Sequence, residues 1–237
     1  MLTHAGVAFP RQDAQALLAH ATRTGEPPAR LFERRASREP LAYILGRCHF
    51  CGLELIVDPR VLVPTEERTG TLVVATLDLP QGARVHEVGT GSGAVALAVK
   101  SRRPDLVVTA SDISADAVEV AKANARRLDL EVEMSRADGL PPGHYDLVVA
   151  NLPYTDTAQE TQQLQPEEEH FQPGVALWAG SDSLGLIRRL VEQAPRNTSL
   201  ALEHAPHHTR ELHRLLDEPR TLRDRRGDER VTLGRAP

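Results

Sequence analysis

The sequence predicts an α/β protein built on a doubly wound, mostly parallel sheet, preceded by a small helical N-terminal domain and a β-hairpin linker. Three observations carry this. From about Pro64 onward, helical patterns alternate with short apolar strand patterns, the signature of a parallel sheet covered on both faces. Glycines cluster in Gly89-Thr90-Gly91-Ser92-Gly93, directly after the first apolar strand of that run. The 237 residues, 41% hydrophobic and 26% charged, suffice for one full α/β domain and a small appendage.

Residues 1–46 read as helical. Ala14, Leu17, Leu18 and Ala21 recur at helical spacing behind Asp13, the expected N-cap. Gly25-Glu26-Pro27-Pro28 breaks that helix before a second one from Ala29 to Ala36. Residues 47–63 form the linker, β-like from Cys48 to Val63, with a turn signal at Asp58-Pro59 that predicts a hairpin. In 64–237 the expected order is helix Thr69–Leu77, strand Arg84–Val88, helix Ser92–Lys100, strand Leu106–Ser111 and helix Ser114–Leu128. Short strand Glu131–Met134, strand Tyr145–Ala150 and an irregular stretch Thr155–Ala179 follow. Helix Ser183–Ala194, strand Ser199–Glu203, helix Thr209–Leu216 and strand Arg230–Gly234 close the series.

Composition narrows the function. No run approaches the roughly 18 uninterrupted apolar residues of a membrane helix. Residues Met1–Gln15 lack the basic start and apolar block of a secretory signal. Two cysteines cannot make a disulfide scaffold, so a reducing, cytoplasmic setting is expected. Cys48-His49-Phe50-Cys51 is a CxxC without a second pair, and no metal site is expected there. A net charge of −5 opposes bulk nucleic-acid binding. His204, His207 and His208 are expected at a solvated helix start, Glu167-Glu168-Glu169-His170 in a solvated loop, and Trp178 as a core or lid anchor.

Candidate chemistry gathers at strand ends, where ligands of such sheets bind. Glycines between strand and helix let backbone come close to a ligand and aim helix amides at it. Gly89-x-Gly91-x-x-Ala94, with Asp112 placed 21 residues past Gly91, also fits a dinucleotide fingerprint. Two details favour S-adenosylmethionine instead. Glu87, two residues before Gly89, suits an ammonium group, and Gly93 replaces the bulkier residue usual in a dinucleotide loop. Asp112 is then expected to chelate a ribose diol, and Asp138, ahead of Gly139, to receive the adenine amine. At the end of the fourth apolar strand stands Asn151-Leu152-Pro153-Tyr154, where a buried polar side chain must find partners.

With these residues in place, the sequence resembles the HemK/PrmC family of S-adenosylmethionine-dependent methyltransferases, which methylate the side-chain amide nitrogen of a glutamine in peptide chain release factors. The family's Asp-Leu-Gly-Thr-Gly-Ser-Gly appears as Glu87 to Gly93, and its Asn-Pro-Pro-Tyr as Asn151 to Tyr154. Further likenesses run in order: Glu39 to Gly46, Phe171-Gln172-Pro173 to Ile187, Leu202-Glu203-His204, and Asp228 to Arg235. Departures are Glu87 for Asp, Leu152 for the first proline, Gln172 for Glu, and Pro64-Thr65-Glu66-Glu67-Arg68-Thr69 for Pro-Arg-Pro-acid-Thr-Glu, which lacks the arginine. The helical N-terminal part is also shorter than the family's.

The resemblance implies a seven-stranded Rossmann-like methyltransferase sheet and S-adenosylmethionine as cofactor. It implies a cofactor site of Glu87, Gly89, Thr90, Gly91, Ser92, Gly93, Asp112, Ile113, Asp138, Gly139 and Asn151, with Asn151, Leu152, Pro153 and Tyr154 catalytic and Tyr154 packed on the acceptor amide. The implied partner is a release factor gripped by the N-terminal domain, or else a small-molecule or peptide amide, with no membrane and no nucleic acid. The glycine loop alone also suits an NAD-dependent oxidoreductase, which has no use for Asn151 to Tyr154, or a non-catalytic scaffold.

Overall fold

A computed structural model describes residues 1–154, 166–177 and 182–237. Trp178 and part of the irregular stretch Thr155–Ala179 lie outside these. An antiparallel hairpin of β1 (Arg47–Phe50) and β2 (Leu53–Ile56) precedes the main sheet. That sheet comprises β3 (Arg84–Val88), β4 (Val107–Asp112), β5 (Glu133–Arg136), β6 (Leu147–Ala150), β7 (Ser199–Glu203), β8 (Asp217–Arg223) and β9 (Glu229–Arg235). Their order is β5-β4-β3-β6-β7-β9-β8, and β9 runs antiparallel to both its neighbours while β5 to β7 pair in parallel through β4, β3 and β6.

Central strands show why the sheet is doubly wound. Every residue of β6, Leu147-Val148-Val149-Ala150, is buried, which requires cover on both faces. Leu147 and Val149 pack with α4 (Glu66–Val74) and α5 (Ala94–Arg102), through Leu72, Val95 and Leu97. Val148 and Ala150 face Ile187, Leu190 and Leu212 on later helices. Between β4 and β5 runs α6 (Ala115–Leu128), started by Ser114, whose hydroxyl accepts from the Ala117 amide at 3.3 Å.

Beyond shifts in bounds, such as Glu66–Val74 for the helix expected over Thr69–Leu77 and Glu133–Arg136 for the strand expected over Glu131–Met134, four departures stand out in these elements. The hairpin turns at Cys51-Gly52, not at Asp58-Pro59. Both turn residues have positive φ, 49° and 87°, as a two-residue hairpin loop requires. Asp58 instead makes the next turn, its carboxylate accepting from the Arg60 amide. A strand that the sequence reading did not assign, β8, supplies the seventh member of the sheet. Its Asp-Glu-Pro-Arg start and mixed exposure are those of an edge strand.

Asp13 is the third departure. The first helix, α1 (Pro10–Thr24), starts after Phe9, and Asp13 lies buried in its first turn. There it accepts from Arg35 at 2.7 Å, on α2 (Pro28–Ala36), within a small core of Leu17, Leu31 and Ile44 shared with α3 (Leu41–Leu45). Fourth, Glu167 is not a solvated loop residue. It belongs to helix α7 (Pro166–Phe171), where Arg35 donates to it at 2.9 Å and Arg38 at 2.8 and 2.5 Å.

One side chain ties hairpin, glycine loop and sheet-covering helix together. Asn124 of α6, fully buried, accepts from the Ile56 amide at 2.7 Å and donates to the carbonyls of Ile56 and Ser92, both at 2.9 Å. Replacing it by alanine strands these backbone groups without water. Asn124→Ala is expected to lower the unfolding free energy by about 3 kcal/mol in urea titrations, since each unsatisfied buried group costs about 1–3 kcal/mol.

Candidate active site

A cavity of about 480 Å³ opens beyond the carboxyl ends of β3, β4, β5 and β6. That volume lies within the roughly 300–1,000 Å³ of ligand pockets. Its floor is the turn from β3 to α5. Gly89, Gly91 and Gly93 all have positive φ, which side-chain-bearing residues adopt at a cost. Gly89 and Gly93 are also pressed from below. A Cβ on Gly89 would stand 3.0 Å from Leu152 Cδ2, and one on Gly93 would stand 3.2 Å from Ala121 Cβ. At Gly91 a Cβ would meet nothing within 4 Å, so the turn leaves open space above it. The amides of Gly89 and Thr90 donate to the Ser111 carbonyl at 2.9 and 3.0 Å, holding the turn against β4.

Glu87 is buried at the end of β3 and lines the cavity. Gly93 brings no side chain to cap α5, and Glu87 does so instead. Its Oε2 accepts from the Ala96 amide at 2.9 Å and from the Thr90 hydroxyl at 2.7 Å. Burial pushes this carboxyl up to about 8 despite those two bonds, with the charge of Asp112 adding to the rise. Glu87 is therefore mainly protonated at neutral pH and ready to ionise beside a cation. Asp112 ends β4 with Oδ2 accepting from Gly91 and Oδ1 from Ser114, each at 2.9 Å, so it is no plain helix cap. Next to it Ile113 stays 48% exposed, an apolar face on the cavity wall.

Asp138 and Gly139 stand further along the wall. Arg189 pairs with the Asp138 carboxylate at 2.7 Å and holds it below the usual carboxylate range. Gly139 at φ 87° leaves room for Gln193, which accepts from the Leu140 amide at 2.9 Å. Asn151, Leu152 and Pro153 line the same cavity from the end of β6. Tyr154 is not among the lining residues. Its ring meets His208 edge-on at 6.3 Å, and its hydroxyl takes a hydrogen bond from Arg230. The phenol turns toward this buried polar group because its oxygen needs a partner there.

Behind Asn151 lies a cluster that the sequence reading missed. Asn151 Nδ2 donates to the Thr69 hydroxyl at 3.4 Å, and Thr69 in turn bonds to Glu203, buried at the end of β7. Burial pushes Glu203 up to about 7, against the pull of Arg68 and Arg230. Arg230 donates to the Asp224 carboxylate at 3.0 Å and to the His204 carbonyl at 3.2 Å. His204 and His208 are buried, not solvated as expected. Burial holds His204 down at about 4, a neutral ring whose Nε2 lies 2.8 Å from the Thr232 hydroxyl.

Comparison with known proteins matches this arrangement. Residues 65–170 fit the model of the methyltransferase small domain. A release factor glutamine methyltransferase of Neisseria gonorrhoeae is 37% identical over 220 residues, spanning 87% of this chain and 80% of that protein. The protein of the same name in Escherichia coli is 32% identical over 258 residues, spanning 95% and 92%. In fold, a methyltransferase from Pyrococcus furiosus superposes with a TM-score of 0.53 at 20% identity, covering 77% of this chain and 87% of that one. Sheet order, glycine turn and strand-end acids define an S-adenosylmethionine-dependent methyltransferase of the α/β class. Within that class, the chain belongs to the release factor glutamine methyltransferase family.

The residues present fit that cofactor. Open space over Gly91, an apolar Ile113 face and a buried, ionisable Glu87 suit a ligand carrying both a flat ring and positive charge. Because a bound cation draws the proton off Glu87, cofactor affinity is expected to rise several-fold between pH 6 and pH 7.5, with proton release. Calorimetry in two buffers of different ionisation enthalpy reads this, and Glu87→Gln is expected to flatten the trend.

Proposed function

We propose that this protein transfers a methyl group to the side-chain amide nitrogen of a glutamine in a peptide chain release factor. The observation that carries the reading is Asn151, held at the end of a fully buried strand and lining the cavity beside Glu87 and the glycine turn. When bound, S-adenosylmethionine supplies an electrophilic methyl on a sulfonium sulfur. Glu87 would face its ammonium group, Asp112 its ribose diol, and Ile113, Asp138 and Gly139 its adenine, with the backbone from Gly89 to Gly93 beneath. Asp138 would share its carboxylate between Arg189 and the adenine amine.

An amide nitrogen is a weak nucleophile, because its lone pair is delocalised into the carbonyl. Two acceptors change this. Asn151 Oδ1 and the main-chain carbonyl of Leu152 would each take one N–H of the acceptor NH₂, fixing the plane of the amide and aiming its lone pair across the cavity. Both oxygens also favour positive charge as it builds on nitrogen. The nitrogen loses its proton after gaining that charge, so no strong base is required ahead of attack. Since the second acceptor is main chain, leucine serves at 152 as proline does in the family's tetrapeptide. Pro153 restricts the loop through its fixed φ. Tyr154, outside the cavity, anchors the loop from below through Arg230 and His208. Residues 1–46 would help hold the protein substrate, joined to α7 beside the cavity through Glu167.

Mass spectrometry of a purified release factor incubated with enzyme and cofactor is expected to show one added methyl on a glutamine. No gain there, with gain on another amide, would move the reading to a different substrate. Asn151→Ala is expected to reduce kcat by about 10²–10³-fold, the size of effect seen on removing one preorganised polar group, while cofactor affinity stays within a few-fold. Leu152→Pro is expected to keep activity within a few-fold in the same assay.

A further inference from the structure

An asparagine amide can present either its oxygen or its NH₂ to a ligand, and only the oxygen can accept an N–H from a substrate. Something must therefore set the flip of Asn151. We propose that Thr69 is a positioning residue whose hydroxyl, oriented by the buried Glu203, fixes the Asn151 side chain with Oδ1 turned toward the methyl acceptor. This inference rests on the acceptor role proposed above for Asn151.

The argument is one of hydrogen-bond direction. Thr69 stands in α4, largely buried, and lines the cavity beside Asn151. It bonds on one side to Glu203 and on the other to Asn151 Nδ2 at 3.4 Å. A hydroxyl has one proton to give. An ionised Glu203 can only accept, so the Thr69 proton goes to it, and the Thr69 oxygen is left as an acceptor. Only the NH₂ end of Asn151 can satisfy that acceptor, which leaves Oδ1 for the substrate. Burial raises Glu203 to about 7 against the pull of Arg68 and Arg230, so the ionised form, and with it this polarity, holds above about pH 7. The sequence of polarity runs Glu203 to Thr69 to Asn151, from the end of β7, across α4, to the end of β6.

Glu203 also has a feature that packing alone does not explain. Its Oε2 is buried and has no hydrogen-bond partner among the described residues. A buried carboxylate is costly to retain in this state, and a neutral apolar residue would fill the space at less expense. Holding Thr69 in one direction gives the carboxylate a use.

The test compares Thr69→Val, which keeps the branched shape and removes the hydroxyl, with Thr69→Ser, which restores it. Under saturating cofactor and release factor, Thr69→Val is expected to lower kcat about tenfold, the worth of one hydrogen bond at the reacting centre. Cofactor affinity is expected to stay near wild type, the melting temperature to fall by a few degrees as Glu203 loses a partner, about 2–4 °C per kcal/mol, and Thr69→Ser to recover most of both losses. Thr69→Val within twofold of wild type in kcat, alongside an inactive Asn151→Ala, would overturn the relay and leave the acceptor role of Asn151 standing. An active Asn151→Ala would instead remove the acceptor role itself, and the relay with it. A neutron map of the free protein decides the direction independently of any substrate. Deuterons of the Asn151 amide pointing at Thr69, and the Thr69 deuteron pointing at Glu203, support the proposal, and the opposite polarity overturns it.

Discussion

The cofactor side of the carboxyl edge is arranged around a carboxyl group buried beside a glycine turn. Glu87 takes the place of a side-chain cap for α5, fastens Thr90, and reaches the cavity with a proton that it holds to about pH 8. These tasks compete. Capping the helix favours the charged form, and burial disfavours it more strongly. The glycine turn beside Glu87 leaves open space over Gly91, where no side chain stands in the way of a ligand. The same economy recurs at Asp112, where two backbone amides occupy both oxygens and hold the carboxylate in one orientation at the cavity wall.

Much of this was readable from the sequence, for physical reasons that differ by residue. β3 and β7 have the bounds predicted for them, each closing on a buried glutamate or the residue after it, just ahead of the ligand edge of the sheet. The glycine turn and Asn151 were legible because each sits where a strand ends and a ligand site is expected. β8 was not, because an edge strand with Pro219 and four charged residues among seven lacks an apolar run. The hairpin turn was misplaced because Asp-Pro is a strong turn signal, and it does make a turn, one loop later. Asp13 illustrates a different failure. An acidic residue ahead of an apolar stripe resembles a cap, and only the fold shows that Arg35 claims it.

The site residues missed by pattern share one property. Thr69, Glu203 and Arg230 are distant in sequence and meet only because α4, β7 and β9 converge behind β6. Thr69 stands where the family's six-residue segment ends in glutamate, and reading that segment for its missing arginine hid what the threonine does. The neighbours of Tyr154 were illegible for a similar reason. Its partners, Arg230 and His208, come from segments that the local sequence gives no means of bringing near.

The order of strands also bears on how the chain assembles. β9 follows β8 in sequence yet lies between β8 and β7 in the sheet. Until β9 has emerged from the ribosome, β7 offers an apolar open border and β8 has nothing to pair with. During synthesis the nascent domain thus carries a temporary sticky margin, of the kind that recruits neighbouring chains. The strand that covers this border also carries Arg230 to the polar cluster, so docking β9 on β7 and completing that cluster are one requirement.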